Sequence, residues 1–233
     1  MNEELKDELE KLRVELGKGE NTTQEQLDAI CLAWQDRIEP SDKEKEEILV
    51  LVNPEGNATT PQRRAPRWLC HLLGLRHRCA LVLLRWQSRN LGNVFVFQVR
   101  SWDKFDSPGH LDISVGGHVI GETTSEVAAF QEMQEEFGVD EAGLKDGKLV
   151  FVGGYESYDK RAEDSFFNAE WRDVYMGELT DLNVIKFEDK EVVGLYLCPE
   201  SEARNLLTQG FIPIASALEY SLPKCLQYLD AGD

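Results

Sequence analysis

The sequence lacks any apolar run long enough to cross a bilayer. Its longest runs, such as ALVLL at residues 80–84, fall far short of the roughly 20 residues that a transmembrane helix needs. The opening segment MNEELKDELEK has no apolar signal core. The five cysteines are widely spaced and never form a CxxC pair, so neither a disulfide framework nor a zinc ribbon is indicated. We therefore expect a cytoplasmic protein whose thiols are reduced and mostly buried.

Positive charge is scarce. The chain carries 25 Lys and Arg against 43 Asp and Glu, a formal net charge of -18. Such a field repels phosphate backbones and anionic lipid at long range, so we expect neither nucleic acid nor a membrane as a partner. A small anionic substrate would need local basic residues or metal ions to offset the field. With 42% apolar residues in 233, the chain can bury a sizeable core, and a globular protein is predicted.

The patterning divides the chain into a helical extension, residues 1–45, and a larger domain, residues 46–233. The second helix of the extension should begin after Thr23, a capping residue, and end before Pro40. A leucine stripe in the first helix favours packing on its own domain, although a homodimer seam stays open. The larger domain shows strands on both sides of a central helix and helices at its end, where Pro223 allows a break. This pattern predicts an α+β (mixed α/β) sandwich with a mixed sheet.

A glycine-rich turn runs into a glutamate-rich helix in the segment GGHVIGETTSEVAAFQEMQEEFGV, residues 116–139. At 100° per residue, Glu132, Glu135 and Glu136 fall within about 100° of one another, and most apolar residues lie opposite. A solvated acidic face is one interpretation. However, a glycine loop lets the backbone approach a ligand and directs N–H groups at anions, and carboxylate oxygens suit Mg²⁺. Both halves together favour a phosphate-bearing substrate held with a divalent metal ion.

This segment resembles the Nudix box, in which a glycine precedes a spaced glutamate and then a cluster around Arg-Glu and Glu-Glu. Two positions depart from that box: Gln131 stands where it has arginine, and Thr123 where it has its first glutamate. The residues that match are Gly117, Glu132, Met133, Glu135, Glu136, Gly138 and Val139.

The resemblance covers roughly residues 46–210 and looks like the Nudix branch related to isopentenyl-diphosphate isomerase. It implies a Nudix-type α/β/α sandwich. It also implies a hydrolase that cleaves a diphosphate linkage in a nucleoside diphosphate derivative or similar small metabolite by water attack on phosphorus. Outside the box, the matching Arg-Ser, Lys and Pro-Gly are Arg100, Ser101, Lys104, Pro108 and Gly109.

The resemblance also implies roles for the box residues. Glu135 and Glu136 would be the main ligands of Mg²⁺ or Mn²⁺, Glu132 a third ligand or the base that orients water, and Gly117 part of the metal site. Gln131 supplies no charge where arginine would. The site should therefore be more negative and more dependent on its metal. Activity would be weak, or lost with ligand binding retained.

Four residues outside the helix are candidates for the substrate site. Arg100 and Lys104 lie just before the box and are candidates for phosphate contact, or are surface charges. Arg63 lies in a basic cluster that either grips a distal phosphate or pairs with acids. Glu191 resembles an acidic residue that precedes the last strand in this branch, where it would position water or metal. The alternative interpretation is that Glu191 is a solvated residue at a strand edge.

The isomerase itself is the rival enzyme, since its family has a histidine-rich metal site. His71, His77 and His118 stand at similar places, and Glu170 falls where a later metal-binding glutamate would lie. The alternative for His77 and His118 is a hydrogen-bonded, structural histidine. The cysteine that protonates the isomerase's substrate is replaced here by Gly116, which disfavours that reaction.

Overall fold

Helices and strands both contribute to the computed structural model, which describes residues 3–20, 22–104, 106–161, 166–187 and 190–232. Their mixture confirms the predicted mixed α/β class. The helices are α1 (Glu3–Leu16), α2 (Gln24–Ile38), α3 (Asp42–Glu46), α4 (Arg67–Leu73), α5 (Ser125–Phe137), α6 (Glu200–Gln209) and α7 (Ser216–Gly232). The strands are β1 (Ile48–Val50), β2 (Arg64–Pro66), β3 (His77–Ser88), β4 (Gly92–Arg100), β5 (Leu111–Asp112), β6 (Val115–His118), β7 (Val150–Arg161), β8 (Phe166–Leu179) and β9 (Val192–Pro199).

The N-terminal helices follow from their caps and their leucines. Thr23 caps α2 as predicted: its hydroxyl accepts a hydrogen bond from the backbone N–H of Gln26, whose side chain accepts from the N–H of Thr23. α1 and α2 each bury two large apolar side chains in one core cluster with residues of β1 and α4. These four side chains are Leu9, Leu16, Leu27 and Trp34.

The strands form two sheets. β1 and β2 pair antiparallel, and the larger sheet has the order β5-β4-β3-β8-β7, with β6 pairing with β3 and β9 with β4. β3 and β4 form the predicted hairpin, in which Leu84 pairs with Val96. Gly92 has φ 71° at the bend, a conformation that glycine adopts without strain. The centre of β4, residues 94–97, is fully buried.

The chain divides into two compact units. The predicted boundary between residues 45 and 46 lies within the first of them and stays a prediction. The first unit comprises Met1–Cys79, His118–Thr124 and Gly154–Arg172, and the second comprises Ala80–Gly117, Ser125–Gly153 and Asp173–Asp233.

The final helix, α7, runs through Pro223 without interruption, so the break expected there is wrong. Leu218 and Leu222 on one side of the proline, and Cys225 and Leu226 on the other, are buried at helical spacing. Their burial holds both halves of the helix in one direction despite the missing N–H. No helix among the described residues combines the length and the apolar character that a membrane span requires.

Candidate functional site

The helix α5 presents the box glutamates in three different environments within the second unit. Glu136 is buried at 4% exposure, Glu132 is partly buried, and Glu135 is exposed. The predicted separation of a glutamate face from an apolar face is wrong at two positions, since Glu136 is buried and Val127 is 49% exposed. The buried apolar residues of the helix hold it in the core. Those residues are Ala128, Ala129, Met133 and Phe137.

Gly117, on β6, makes room for Glu132. A Cβ atom built on Gly117 would overlap the carboxylate of Glu132. The backbone of Gly117 is not in the left-handed region, so space rather than conformation requires glycine here. The carboxylate of Glu132 therefore lies directly against the backbone of β6. The structure thus brings together these two residues of the predicted site.

Glu136 is held by a residue that the sequence analysis missed. The side-chain amide of Gln98, on β4, donates a hydrogen bond to Oε2 of Glu136 across 3.2 Å. Gln98 is itself buried at 3% exposure. The one available signal was a polar side chain inside the otherwise apolar run VFVFQV at residues 94–99.

Arg100 and Lys104 are both engaged by acidic residues of the second unit. Nη1 of Arg100 lies 2.9 Å from Oδ2 of the buried Asp112, and its Nε and Nη2 donate to the carbonyl of Asp106. Lys104 forms an ion pair with Glu191. Two predicted substrate residues, Lys104 and Glu191, are therefore neighbours, and the phosphate roles of both cations stay predictions.

Arg63 lies in the first unit. Its Nη1 donates hydrogen bonds to the carbonyls of Gly19 and Thr22, in the connection between α1 and α2. Burial lowers the pKa of its guanidinium. These partners are backbone carbonyls and not the acids of the alternative interpretation, and the phosphate role of Arg63 stays a prediction.

The two positions that depart from the box have different surroundings. Gln131 is exposed on α5. Thr123 is half-buried in the first unit, and its neighbour Glu122 has a side chain that is 83% exposed and pairs with Arg64 at 2.9 Å. The early glutamate of the loop is thus an exposed partner of a basic residue.

A second candidate site lies wholly within the first unit. Ligand atoms of His71, His77, His118 and Glu170 all lie within 4.8 Å of one another. The residues come from α4, β3, β6 and β8 respectively, so distant parts of the sequence converge here. The three imidazole rings have centroids 5.0 to 5.3 Å apart.

The imidazoles have nitrogens available for a ligand. Nδ1 of His77 lies 2.9 Å from the carbonyl of Leu75, and a carbonyl only accepts, so the proton is assigned to Nδ1 and the lone pair to Nε2. Nε2 of His77 and Nε2 of His71 are buried and have no hydrogen-bond partner in the part of the chain that the structure describes. Buried polar atoms are seldom left unsatisfied, which is consistent with a place for a metal ion.

Burial and nearby charges shift the pKa values of His71, His77 and Glu170. Burial, reinforced by His118, lowers the pKa of His77 to about 4, and the pKa of His71 lies well below its ordinary value for the same reasons. Burial alone would raise the pKa of Glu170, but Arg172, followed by the histidines, holds it well below the usual range. His71 and His77 are therefore neutral, and Glu170 is ionised, at neutral pH.

Glu47 supports this site from outside and was also missed from the sequence. Its Oε2 lies 3.7 Å from Nδ1 of His118, and Arg67 contacts both of its oxygens at 3.0 and 3.1 Å. Burial opposes its ionisation, but His118 and Arg67 lower the pKa of Glu47 to about 2. Carboxylates placed behind metal-binding histidines fix the orientation of the ring.

The two sites fit different ions. Among the described residues, the histidine cluster is the one group of three or more His, Cys, Asp or Glu with ligand atoms this close together. Imidazoles with a carboxylate suit transition ions such as Zn²⁺ or Mn²⁺. The carboxylates of α5 are less tightly gathered, which fits Mg²⁺, since it keeps waters and binds through one or two carboxylates plus substrate phosphates.

Comparisons with protein families and solved structures show which known folds this chain resembles. No protein-family model matches the chain. The crystal structure of DR0079 from Deinococcus radiodurans superposes with a TM-score of 0.57 at 20% identity, over 77% of this chain and 99% of that one. A weaker likeness, TM-score 0.49 at 10% identity, links 65% of the chain to 87% of the NUDIX domain of Shewanella oneidensis NrtR, solved with ADP ribose. The superposition on DR0079 confirms the predicted fold.

A curated relative gives the more specific relationship. The chain is 32% identical over 162 residues to Nudix hydrolase 3 of Arabidopsis thaliana, which is 66% of this chain and 20% of that protein. The chain is therefore a homologue of a Nudix hydrolase and spans about a fifth of that relative's length. The resemblance inferred from the box is confirmed, and the isomerase-like branch stays a prediction.

Proposed function

We propose that the chain is a divalent-metal-dependent hydrolase of a diphosphate linkage in a nucleoside diphosphate derivative or similar small metabolite. The observation that carries the proposal is the arrangement on α5, where Glu132 lies against Gly117 and the buried Glu136 is held by Gln98. Carboxylate oxygens are the ligands that Mg²⁺ prefers, and Gln98 holds one oxygen of Glu136 in a fixed position. The homology to Nudix hydrolase 3 supports the same chemistry.

The three carboxylates of α5 have different roles in this proposal. Glu135 and Glu136 would hold Mg²⁺ or Mn²⁺, which when bound neutralises diphosphate charge and lowers the pKa of water. Glu132, the third ligand or the base, accepts a proton as the water oxygen bonds to phosphorus. The bridging P–O bond breaks, and the leaving phosphate keeps its electron pair. An ion is needed here because the chain carries a net charge of -18 and would otherwise repel a diphosphate.

The substrate side of the proposal uses the basic residues near β4. Arg100 and Lys104 would turn part of their hydrogen bonding toward phosphate oxygens, and Glu191, released from Lys104, would position water or metal. Arg63 is assigned to the connection between α1 and α2. We place the enzyme in the cytoplasm, since its five cysteines form no disulfide and four are buried, as in a reducing compartment.

The test is turnover of a panel of nucleoside diphosphate derivatives with Mg²⁺ or Mn²⁺. Glu135→Gln and Glu136→Gln should each lower turnover by at least about 100-fold, because each removes a metal ligand. Glu126→Gln, at an exposed acid on the same helix, is the matched control and should behave as wild type. If the wild type releases no product while panel members raise its melting temperature, the chain is a binding module and the hydrolase proposal fails.

The histidine cluster favours a second candidate function, an isomerase-like proton transfer on an isoprenoid diphosphate. Four converging ligands in the first unit supply the metal centre that this chemistry would use. The reaction would transfer a proton to and from carbon and leave the diphosphate intact. Nuclear magnetic resonance of isopentenyl diphosphate in D₂O distinguishes it, since deuterium would enter carbon with no phosphate released. Gly116 at the position of the thiol weighs against this outcome.

A further inference from the structure

The box position that the resemblance assigns to an arginine is neutral and exposed here. Gln131 carries no charge and lies on the exposed side of α5. An arginine at that position would steady the glutamates by pairing, and an exposed glutamine has neither the charge nor the burial to replace it. Some other group must orient the metal-binding carboxylates if the site works.

We propose that Gln98 is the residue that positions Glu136 for the metal ion, in place of the missing arginine of the box. The inference rests on the proposed function, because it assumes that Glu136 binds the ion. Gln98 acts through Glu136 and touches neither substrate nor metal in this account, so its role is a positioning one.

The geometry gives Gln98 a rigid base. β4 is paired on both sides at this point, since Gln98 stands opposite Asp112 of β5 and opposite Leu195 of β9. The strand before it, residues 94–97, is fully buried. With its backbone fixed on both edges and its side chain 3% exposed, the amide has little freedom, and the 3.2 Å hydrogen bond fixes Oε2 of Glu136.

The chemistry of an amide suits this task. Its NH₂ group donates a hydrogen bond to one carboxylate oxygen and brings no charge to the site. An arginine fork commonly engages both oxygens and contributes a positive charge. A neutral positioning group thus orients the carboxylate without adding a positive charge of its own. Residues that orient metal ligands in this way change metal affinity or activity by about 10–100-fold when removed.

The test compares Gln98→Met with Gln131→Met. Methionine has nearly the length of glutamine but cannot donate, so each variant removes one amide with little change of volume. Mn²⁺ binding is followed by calorimetry, and the relevant component is the one that Glu136→Gln abolishes, which separates it from binding at the histidine cluster. We expect Gln98→Met to weaken that component about 10–100-fold and Gln131→Met to leave it within about twofold of wild type.

A second readout separates positioning from stability. Turnover of Gln98→Met should recover as Mn²⁺ is raised, because a misoriented ligand still binds at higher metal concentration. A lower melting temperature with unchanged Mn²⁺ affinity would show that Gln98 is only structural and would overturn the inference. If Gln98→Met is too unstable for titration, Gln98→Asn keeps the amide but withdraws it by one methylene and should weaken Mn²⁺ in the same direction.

The failures of the two proposals are distinguishable. Wild-type Mn²⁺ binding and turnover in Glu136→Gln would refute the proposed function itself. Loss of both in Glu136→Gln, with wild-type behaviour in Gln98→Met, would refute the positioning role alone. A loss in Gln131→Met that Gln98→Met does not share would assign the role to Gln131.

Discussion

Replacing Gly117 by alanine would displace the carboxylate of Glu132. The added Cβ would overlap that carboxylate, so Glu132 must leave its present position. The backbone of Gly117 is compatible with alanine because its φ lies outside the left-handed region. The perturbation therefore acts on one functional side chain and leaves the strand conformation intact.

The expected magnitudes separate function from stability. Moving Glu132 off its preferred rotamer costs about 0.5–1.5 kcal/mol, whereas Gly to Ala at a compatible position gains about 0.4–1 kcal/mol through the unfolded chain. The free energy of unfolding should therefore change by no more than about 1 kcal/mol. Relief of the overlap requires a shift of roughly 1 Å or more, and misplacement by that amount can cost about 100-fold in turnover.

The assay is turnover together with the urea-unfolding free energy of Gly117→Ala. Gly194→Ala is the matched control, because Gly194 also has no left-handed φ and a Cβ there would meet nothing within 4 Å. It should keep wild-type turnover and stability. Wild-type turnover and Mn²⁺ affinity in Gly117→Ala would refute the placement of Glu132 in the site.

Three further predictions concern the first unit. Glu156→Gln removes a partner of Arg76, whose side chain is 3% exposed, and should lower the urea-unfolding free energy by about 1–2 kcal/mol, a value reduced because Glu156 is 35% exposed and screened. Lys18 and then Arg76 lower the pKa of Glu156. The contribution of Glu156 to the unfolding free energy is therefore present above about pH 4.3 and is lost as pH falls through its folded-state pKa. A difference in unfolding free energy between wild type and variant that grew on acidification would contradict this sign. His77→Asn should abolish the Zn²⁺ or Mn²⁺ binding that α5 variants leave intact, and unchanged calorimetric affinity would refute the histidine site. Arg63→Met should cost about 1–3 kcal/mol of unfolding free energy with turnover unchanged; lost turnover at unchanged stability would restore its phosphate role.

Local patterns predicted the elements that depend on local physics. The hairpin between β3 and β4, the cap at Thr23 and the helix α5 each follow from residues close together in the sequence. The continuity of α7 could not be predicted in this way. The proline signal is local, whereas the burial that keeps the helix continuous comes from packing. The glycine at 117 was recognised from the box, but its reason, the carboxylate of Glu132 against it, is a contact between two elements.

The contacts that set the sites depend on the tertiary fold. Gln98 and Glu47 lie far from their partners in sequence, and neither has a local pattern that predicts a contact with a particular carboxylate or imidazole. The pairing of Lys104 with Glu191 likewise joins residues 87 positions apart. The sequence supplied residue types and spacing, and strand register decided which of them meet.

Hydrolysis in H₂¹⁸O tests the central claim most directly. The wild type is incubated with Mg²⁺ and a panel of nucleoside diphosphate derivatives, and the masses of the products are measured. The account predicts cleavage of at least one compound, with one ¹⁸O atom on a single phosphate product and no cleavage by Glu136→Gln. An intact panel, or products without ¹⁸O on phosphorus, would contradict it.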